Sequence, residues 1–276
     1  MSVFLTTFLL LQIILLFLYK SFIVDIAKKN EKNLVENTLQ IYHNTMESVL
    51  ERLDDNLDLL LGCRLLLTQL NGENNLEKVK AQHQMLQILK ERCKDTKEAD
   101  AYAIVNCKDN SILIQRNGNI TYDTIKDIKK YLQKRNTFDK TPTSGWTSTV
   151  VGEQVYLVKY YNYGANTIAV LISEKRLDSL LNYNDMSIKE AAFYLTDKKG
   201  KILCGSGEDW TYGEAIENLQ KQDPSISIYR GSVLEDAYQM YYSVKSSEYA
   251  AYSTSGIAIF GFLVLSLLFF GTIVWY

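Results

Sequence analysis

The sequence contains little of what enzymes use for catalysis. It has two histidines, His43 and His83, and it lacks a phosphate-binding loop, an H-E-x-x-H metal motif and a G-x-S-x-G nucleophile motif. Both histidines fall in segments that the apolar periodicity predicts to be helical, at positions typical of an exposed surface. We therefore expect no catalytic residues, no metal site, no cofactor and no enzymatic activity in this chain.

The sequence also has few cysteines and prolines and a net charge close to zero. The four cysteines form no CxxC pair, which leaves open either a disulfide between Cys93 and Cys107 or four buried free thiols. Only Pro142 and Pro224 interrupt the chain, so no proline-rich linker divides it. Acidic and basic residues balance to a net charge of −2, which argues against a nucleic-acid partner.

Two long apolar segments, residues 3–24 and 257–276, flank roughly 230 residues of mixed polarity. Lys20 is the one charge in the first segment, and the second has none. Each is long enough to cross a bilayer as a helix, so we predict a two-pass membrane protein with membrane lipid around both segments. A cleaved signal peptide is the weaker interpretation of the first segment, because no small-x-small cleavage site follows it.

Charge does not fix the side of the membrane on which the middle lies. Lys20, Lys28, Lys29 and Lys32 follow the first segment and by themselves favour a cytoplasmic middle. That bias governs short loops, whereas long domains are translocated largely regardless of their charge. The orientation therefore rests on the family resemblance described below.

Residues 25–94 are predicted to form one long helix, ending near Leu70, and a shorter second helix. Apolar residues recur there in steps of three and four, at Leu39, Tyr42, Met46, Val49 or Leu50, Leu53, Leu57 and Leu60. This stripe fits either packing on the chain's own sheet or a parallel dimer seam. The second helix is predicted from Asn75 to Cys93, with Leu76, Val79, Met85, Leu86 and Leu89 as its apolar face.

After Asp100 the pattern changes to strands, and it occurs twice. In residues 95–181 we predict strands at 101–107, 111–116, 145–151, 154–163 and 166–173, with helices at 121–134 and 174–181. In residues 182–253 we predict a hairpin from Ala191 to Leu203, a helix at 212–221 and strands at 225–229, 238–244 and 248–253. The hairpin Phe193–Leu203 repeats the pattern of Ala103–Leu113, which predicts two similar α+β modules in series.

The order of these elements resembles a known family. A first span, a long helix, two hairpins of the YLTDKKGKIL kind, a last strand at Tyr249–Tyr252 and a second span resemble a double-Cache extracytoplasmic sensor. The resemblance implies an α+β fold of two tandem PAS-like modules of antiparallel sheet: a membrane-distal one at 95–181 and a membrane-proximal one at 182–253. It also implies signalling to a histidine kinase or an AraC-type transcription regulator, the output module being absent from this chain.

Aromatic residues are the best candidates for a ligand site. Many of the nineteen tyrosines fall in the first module, and tyrosine or tryptophan suits a pocket for a small polar ligand. Strand alternation places Tyr156 and Tyr160 on one face of the sheet, and Tyr161 and Tyr163 on the other. From the resemblance, Arg116 would grip a carboxylate, with Trp146 and Tyr160 as pocket walls. The predicted ligand-binding set is Tyr102, Arg116, Trp146, Tyr156 and Tyr160.

The sequence thus predicts a homodimeric, membrane-anchored sensor whose central domain lies outside the cytoplasm. It would bind an unknown small molecule and signal across the membrane. The alternative is a non-enzymatic subunit that recognises a protein or a cell-envelope component, because the amino-acid-binding motif of the family is incomplete here.

Overall fold

Two antiparallel sheets pack along one long N-terminal helix in the computed structural model of this chain. The structure describes residues 2–118, 120–138, 145–181, 191–206, 210–234 and 238–245, together with residues 261, 264 and 271. Helix α1 (Ser2–Gly62) is followed by α2 (Arg64–Gln69) and α3 (Asn75–Asp95). The carboxamide oxygen of Asn74 caps α3 by accepting hydrogen bonds from the backbone N–H groups of Leu76 and Glu77.

The apolar stripe of α1 packs on the chain's own sheets. Every predicted position is buried: Leu39, Tyr42, Met46, Val49, Leu50, Leu53, Leu57 and Leu60. These side chains join one core with residues of both sheets, such as Ile168 in the first and Met240 in the second. Because the stripe is covered within one chain, the first of its two interpretations is confirmed.

The first module is a five-stranded sheet between two helical layers. Its elements are β1 (Ala101–Asn106), β2 (Ile112–Arg116), α4 (Tyr122–Phe138), β3 (Thr147–Val151), β4 (Gln154–Tyr163) and β5 (Asn166–Ser173). The strands are antiparallel, in the order β2-β1-β5-β4-β3. Helices α1 and α3 cover one face, and α4 covers the other.

The second module repeats this topology in four strands. Helix α5 (Glu174–Leu181) comes first; then follow β6 (Ala191–Asp197), β7 (Ile202–Gly205), α6 (Glu217–Gln222), β8 (Ile226–Leu234) and β9 (Tyr238–Lys245). The order β7-β6-β9-β8 matches β2-β1-β5-β4 strand for strand. The predicted duplication and the α+β fold of two antiparallel sheets with a long N-terminal helix are confirmed.

Several local predictions were wrong. Helix α6 begins at Glu217 rather than at Tyr212, because residues 211–214 form a turn in which Gly213 has φ +81° and Thr211 bonds to the Glu214 carboxylate. Leu76 and Val79 are exposed by 64% and 60%, because α3 turns Ala81, Met85, Leu89 and Cys93 inward instead. The predicted strand 248–253 lies outside the described residues.

The four cysteines are free thiols in this structure. The thiol of Cys93 donates to the carbonyl of Gln115, beside the first residues of β1, whereas Cys107 follows the last residue of that strand. A strand of this length separates them by roughly 15 Å, well beyond the reach of a disulfide. The alternative of four buried thiols needs correction as well, because Cys107 is exposed.

Among the residues that the structure describes, no helix is both long enough and apolar enough to cross a bilayer. Residues 3–24 belong to α1, and most of their side chains lie outside the described set. In the segment 257–276, only Gly261, Val264 and Gly271 are described. The two-pass arrangement stays a prediction.

Candidate ligand-binding site

A cavity of about 350 Å³ opens in the first module, where β1 begins, β5 ends and the N-termini of α4 and α5 meet. It lies on the sheet face that carries α4, opposite the face that packs on α1. Its lining is mostly polar: Asp100, Gly118, Ile120, Thr121, Thr124, Gln154, Tyr156, Ser173, Lys175, Arg176 and Ser179.

Asp100 is the anchor of this cavity. One carboxylate oxygen accepts the backbone N–H of Ser173, and the other accepts the Arg176 Nε at 3.3 Å. The Asp100 side chain is 6% exposed, whereas that of Arg176 is 30% exposed. Among the described residues, only the Nε of the Arg176 guanidinium finds a hydrogen-bond acceptor, and its two terminal nitrogens find none. The pair therefore holds Arg176 in place and leaves its terminal nitrogens for another partner.

Two helix N-termini face the same cavity. Ser173 Oγ accepts the backbone N–H of Arg176 in the first turn of α5. Thr121 Oγ1 accepts the N–H of Thr124 in the first turn of α4. Helix N-termini carry a partial positive charge, and Lys175 and Arg176 add two full charges against the single charge of Asp100. The site therefore has a net positive character.

Tyr156 supplies an aromatic wall. It is buried, and its hydroxyl donates to Gln154 Oε1 at 2.9 Å. Burial, followed by the negative charge of Asp100, raises the pKa of the Tyr156 phenol to about 12. Its hydroxyl therefore remains a neutral hydrogen-bonding group at physiological pH.

The structure divides the five predicted ligand-binding residues among three places. Tyr156 lines the cavity, and Tyr160 is buried on the same face against α4, as strand alternation predicted. Tyr102 and Trp146 are buried on the opposite face, in the core that includes α1. Arg116 lies in a separate groove beside α4, where its guanidinium donates to the carbonyl of Ile120.

The sequence interpretation missed Asp100, Ser173 and Arg176. Asp100 and Arg176 lie 76 positions apart, so no local spacing links them. A signal was present nonetheless, because a serine between a predicted strand and a predicted helix is typical of a helix N-cap. Ser173 holds that position, and the helix it caps carries the two cations of the site.

A charged contact on the other sheet face links the first module to α1. The ammonium group of Lys159 in β4 bonds to the Asp54 carboxylate of α1, and their side chains are 5% and 23% exposed. The same ammonium lies 5.8 Å from the ring centroids of Trp146 and Tyr161. Burial raises the pKa of Asp54, although the hydrogen bond and charge of Lys159 lower it in part.

Trp146 also joins the two modules. Its backbone carbonyl accepts a hydrogen bond from the hydroxyl of Tyr238, the first residue of β9. Tyr42 of α1 makes edge-to-face contacts with Phe193 and Tyr242 of the second sheet, at centroid distances of 5.5 and 6.0 Å. One helix thus contacts both sheets, and the sheets contact each other near Trp146.

The fold is similar to that of a solved chemoreceptor sensory domain. The structure is similar to the periplasmic sensory domain of the Campylobacter jejuni chemoreceptor Tlp1 at 9% identity, with a TM-score of 0.51, covering 79% of this chain and 96% of that one. In outline this is the fold that the resemblance to double-Cache sensors predicted.

Two further solved structures are similar at lower scores. The sensory domain of the C. jejuni chemoreceptor Tlp3 is 14% identical, with a TM-score of 0.49, and 81% of this chain and 96% of that one are covered. The sensor domain of the V. cholerae histidine kinase DctB is 12% identical, with a TM-score of 0.47 and coverages of 79% and 97%. No family model matches the sequence, and no curated protein matches it.

Proposed function

We propose that this chain is the extracytoplasmic sensor region of a membrane receptor. It binds a small molecule bearing an anionic group in the cavity between the first sheet and the N-termini of α4 and α5. The observation that carries the proposal is the Asp100–Arg176 pair, because it holds a partly exposed guanidinium at the mouth of a polar cavity. The shared fold with a chemoreceptor sensory domain supports it.

An anionic ligand fits the electrostatics of the lining. Asp100 is already occupied by the Ser173 N–H and the Arg176 Nε, so it orients the arginine rather than attracting a cation. Lys175 and the terminal nitrogens of Arg176 then provide donors for a carboxylate, sulfate or phosphate oxygen. Tyr156 and Gln154 provide an aromatic wall and a polar group for the rest of the molecule.

Helix α5 connects the cavity to α1. Lys175, Arg176 and Ser179 line the cavity, whereas Leu177 is buried in the core that contains α1. A ligand that draws Arg176 inward would rotate or shift α5, and Leu177 would move against that core. The ligand shifts the equilibrium between the original and the displaced position of α5 only to the extent that its affinity for the two differs. The shift would reach the second module through the contacts of α5 with β7.

Membrane anchoring is the second part of the proposal. Residues 3–24 and 257–276 would span the bilayer, with residues 25–253 outside the cytoplasm and the receptor as a homodimer. The described side chains Ile14, Phe17, Leu18 and Phe22 support this, because they are exposed by 48%, 75%, 62% and 63%. An exposed apolar row of this kind needs lipid or protein cover. The receiving output, a kinase or a transcription regulator, follows from the family resemblance.

The test is a thermal-shift screen of the full chain in detergent against carboxylates, amino acids, sulfated sugars and phosphate esters. We expect at least one compound to raise the melting temperature of the wild type. The shift should be lost in Arg176→Ala and retained in Arg64→Ala, a matched change of an exposed arginine far from the cavity. A hit that is equally strong in Arg176→Ala would refute the site.

A further inference from the structure

Strand β2 forms one edge of the first sheet, and half of its backbone groups point away from the sheet. Asn106 donates to the carbonyl of Ser111, and Asn117 donates to the carbonyl of Asp100. Hydrogen-bonded pairs alternate in an antiparallel ladder, so Leu113 and Gln115 also bond to β1. The N–H and C=O groups of Ile112, Ile114 and Arg116 therefore face outward.

These outward groups remain available. Among the described residues, none bonds to the outward N–H or C=O groups of Ile112 and Ile114, and the Arg116 carbonyl accepts only a 3.3 Å contact from the neighbouring Gln115 side chain. A free edge of this kind can accept another strand.

A groove of about 290 Å³ runs beside this edge, between β2 and α4. It is lined by Ile114, Gln115, Arg116, Tyr122, Ile125 and Lys129. Tyr122 is 79% exposed, which is high for an aromatic residue at the rim of a groove. The groove lies on the β2 side of α4, whereas Thr121 and Thr124, at the N-terminus of that helix, face the ligand cavity. It is therefore a second site.

The groove is positively charged. Arg116 and Lys129 line it, and neither has an ion-pair partner within the described ranges. The hydrogen bond from the Arg116 guanidinium to the Ile120 carbonyl fixes the arginine without neutralising it. A lone charge on an edge strand discourages aggregation, but that role does not require a second cation, an exposed tyrosine and a groove.

We propose that the β2 edge binds an extended acidic segment of a partner protein as an added strand. The backbone of that segment would bond to the outward groups of Ile112, Ile114 and Arg116. Its alternate side chains would point into the groove, where carboxylates meet Arg116 and Lys129 and an apolar residue packs on Tyr122. A small anion would use the two charges but not the row of backbone donors and acceptors, so a peptide fits the site better.

The test uses the full chain and a fluorescein-labelled nonapeptide of alternating glutamate and valine, with binding followed by fluorescence anisotropy. We expect the peptide to bind, and Arg116→Glu and Lys129→Glu each to weaken it at least tenfold. Lys126→Glu is the matched control, an exposed lysine of α4 outside the groove, and should leave binding within twofold. Ile114→Pro removes an outward N–H without touching the ladder to β1, and should abolish binding.

Amide hydrogen exchange on the wild type gives a second readout that needs no variant. Bound peptide should protect the amides of Ile112, Ile114 and Arg116. The proposal is overturned if the peptide does not bind, if Lys126→Glu weakens it as much as Arg116→Glu, or if equimolar glutarate displaces it. Self-association through β2 that excludes the peptide would overturn it too. Arg176→Ala should bind the peptide normally, so this result is independent of the ligand cavity.

Discussion

The buried contact between Lys159 and Asp54 should have unequal consequences when its two partners are removed. The Lys159 side chain is 5% exposed and lies in the sheet, whereas that of Asp54 is 23% exposed and lies on α1. Asp54→Ala removes the carboxylate that pairs with a buried ammonium, which costs about 3–5 kcal/mol in comparable cases. Lys159→Met leaves a carboxylate that reaches water, so we expect a cost of about 1–3 kcal/mol.

The double variant Asp54→Leu with Lys159→Met should be more stable than Asp54→Ala alone. Replacing both members of a buried ion pair by apolar residues is often neutral, because the cost of burying charge disappears. We expect a coupling energy of at least about 1 kcal/mol in the cycle of Asp54→Leu, Lys159→Met and the double variant.

The assay is urea unfolding of the full chain in mild detergent, followed by tryptophan fluorescence, since Trp146 lies beside the ion pair. The direction of the pH effect can be derived as well. Burial raises the pKa of Asp54, and removing Lys159 raises it further, so Lys159→Met should recover stability as pH falls toward 4. A loss below about 1 kcal/mol in Asp54→Ala, or strictly additive effects, would refute the proposed link between the sheet and α1.

Three further variants test the fold. Burial alone would raise the pKa of Asp109, but hydrogen bonds from Lys78 and Ser111 outweigh it and lower the pKa to about 2. The stability that the Asp109 carboxylate contributes should therefore be lost as pH falls from about 4 to 2, and it should be absent in Asp109→Asn. Acid unfolding monitored by circular dichroism measures this loss. A side chain at Gly231 would come within 2.9 Å of Leu39, so Gly231→Val should destabilise the packing of α1 on β8 by about 1–3 kcal/mol in urea titrations. Leu57→Ala should cost about 2–5 kcal/mol in the same assay, because this side chain is fully buried in the shared core; a smaller loss would mean that α1 is not part of that core.

The elements between Gln154 and Leu181 could be predicted to the residue. The turns that precede β4 and β5 contain Gly152 and Gly164, and both glycines adopt the positive φ that such a turn requires, +64° and +58°. The strand β4 alternates between a core with α1 and a core with α4, so the faces of its tyrosines followed from the sequence.

The ligand-binding residues were predicted less completely than the strands and helices. All six residues of β1 are buried, so no polar–apolar alternation marks the face on which Tyr102 lies. Trp146 precedes its strand and is outside any alternation. Asp100 and Arg176 meet because β1 and β5 are neighbours in the sheet, a pairing that depends on strand order and not on local sequence.

The location of the bound ligand tests the account most directly. Amide hydrogen exchange of the full chain should be measured with and without the strongest compound from the thermal-shift screen. We expect protection at residues 118–124 and 173–179, the two segments whose helix N-termini meet at the cavity, with little change in β8. Protection confined to the second module, or none in these two segments, would contradict the proposed site.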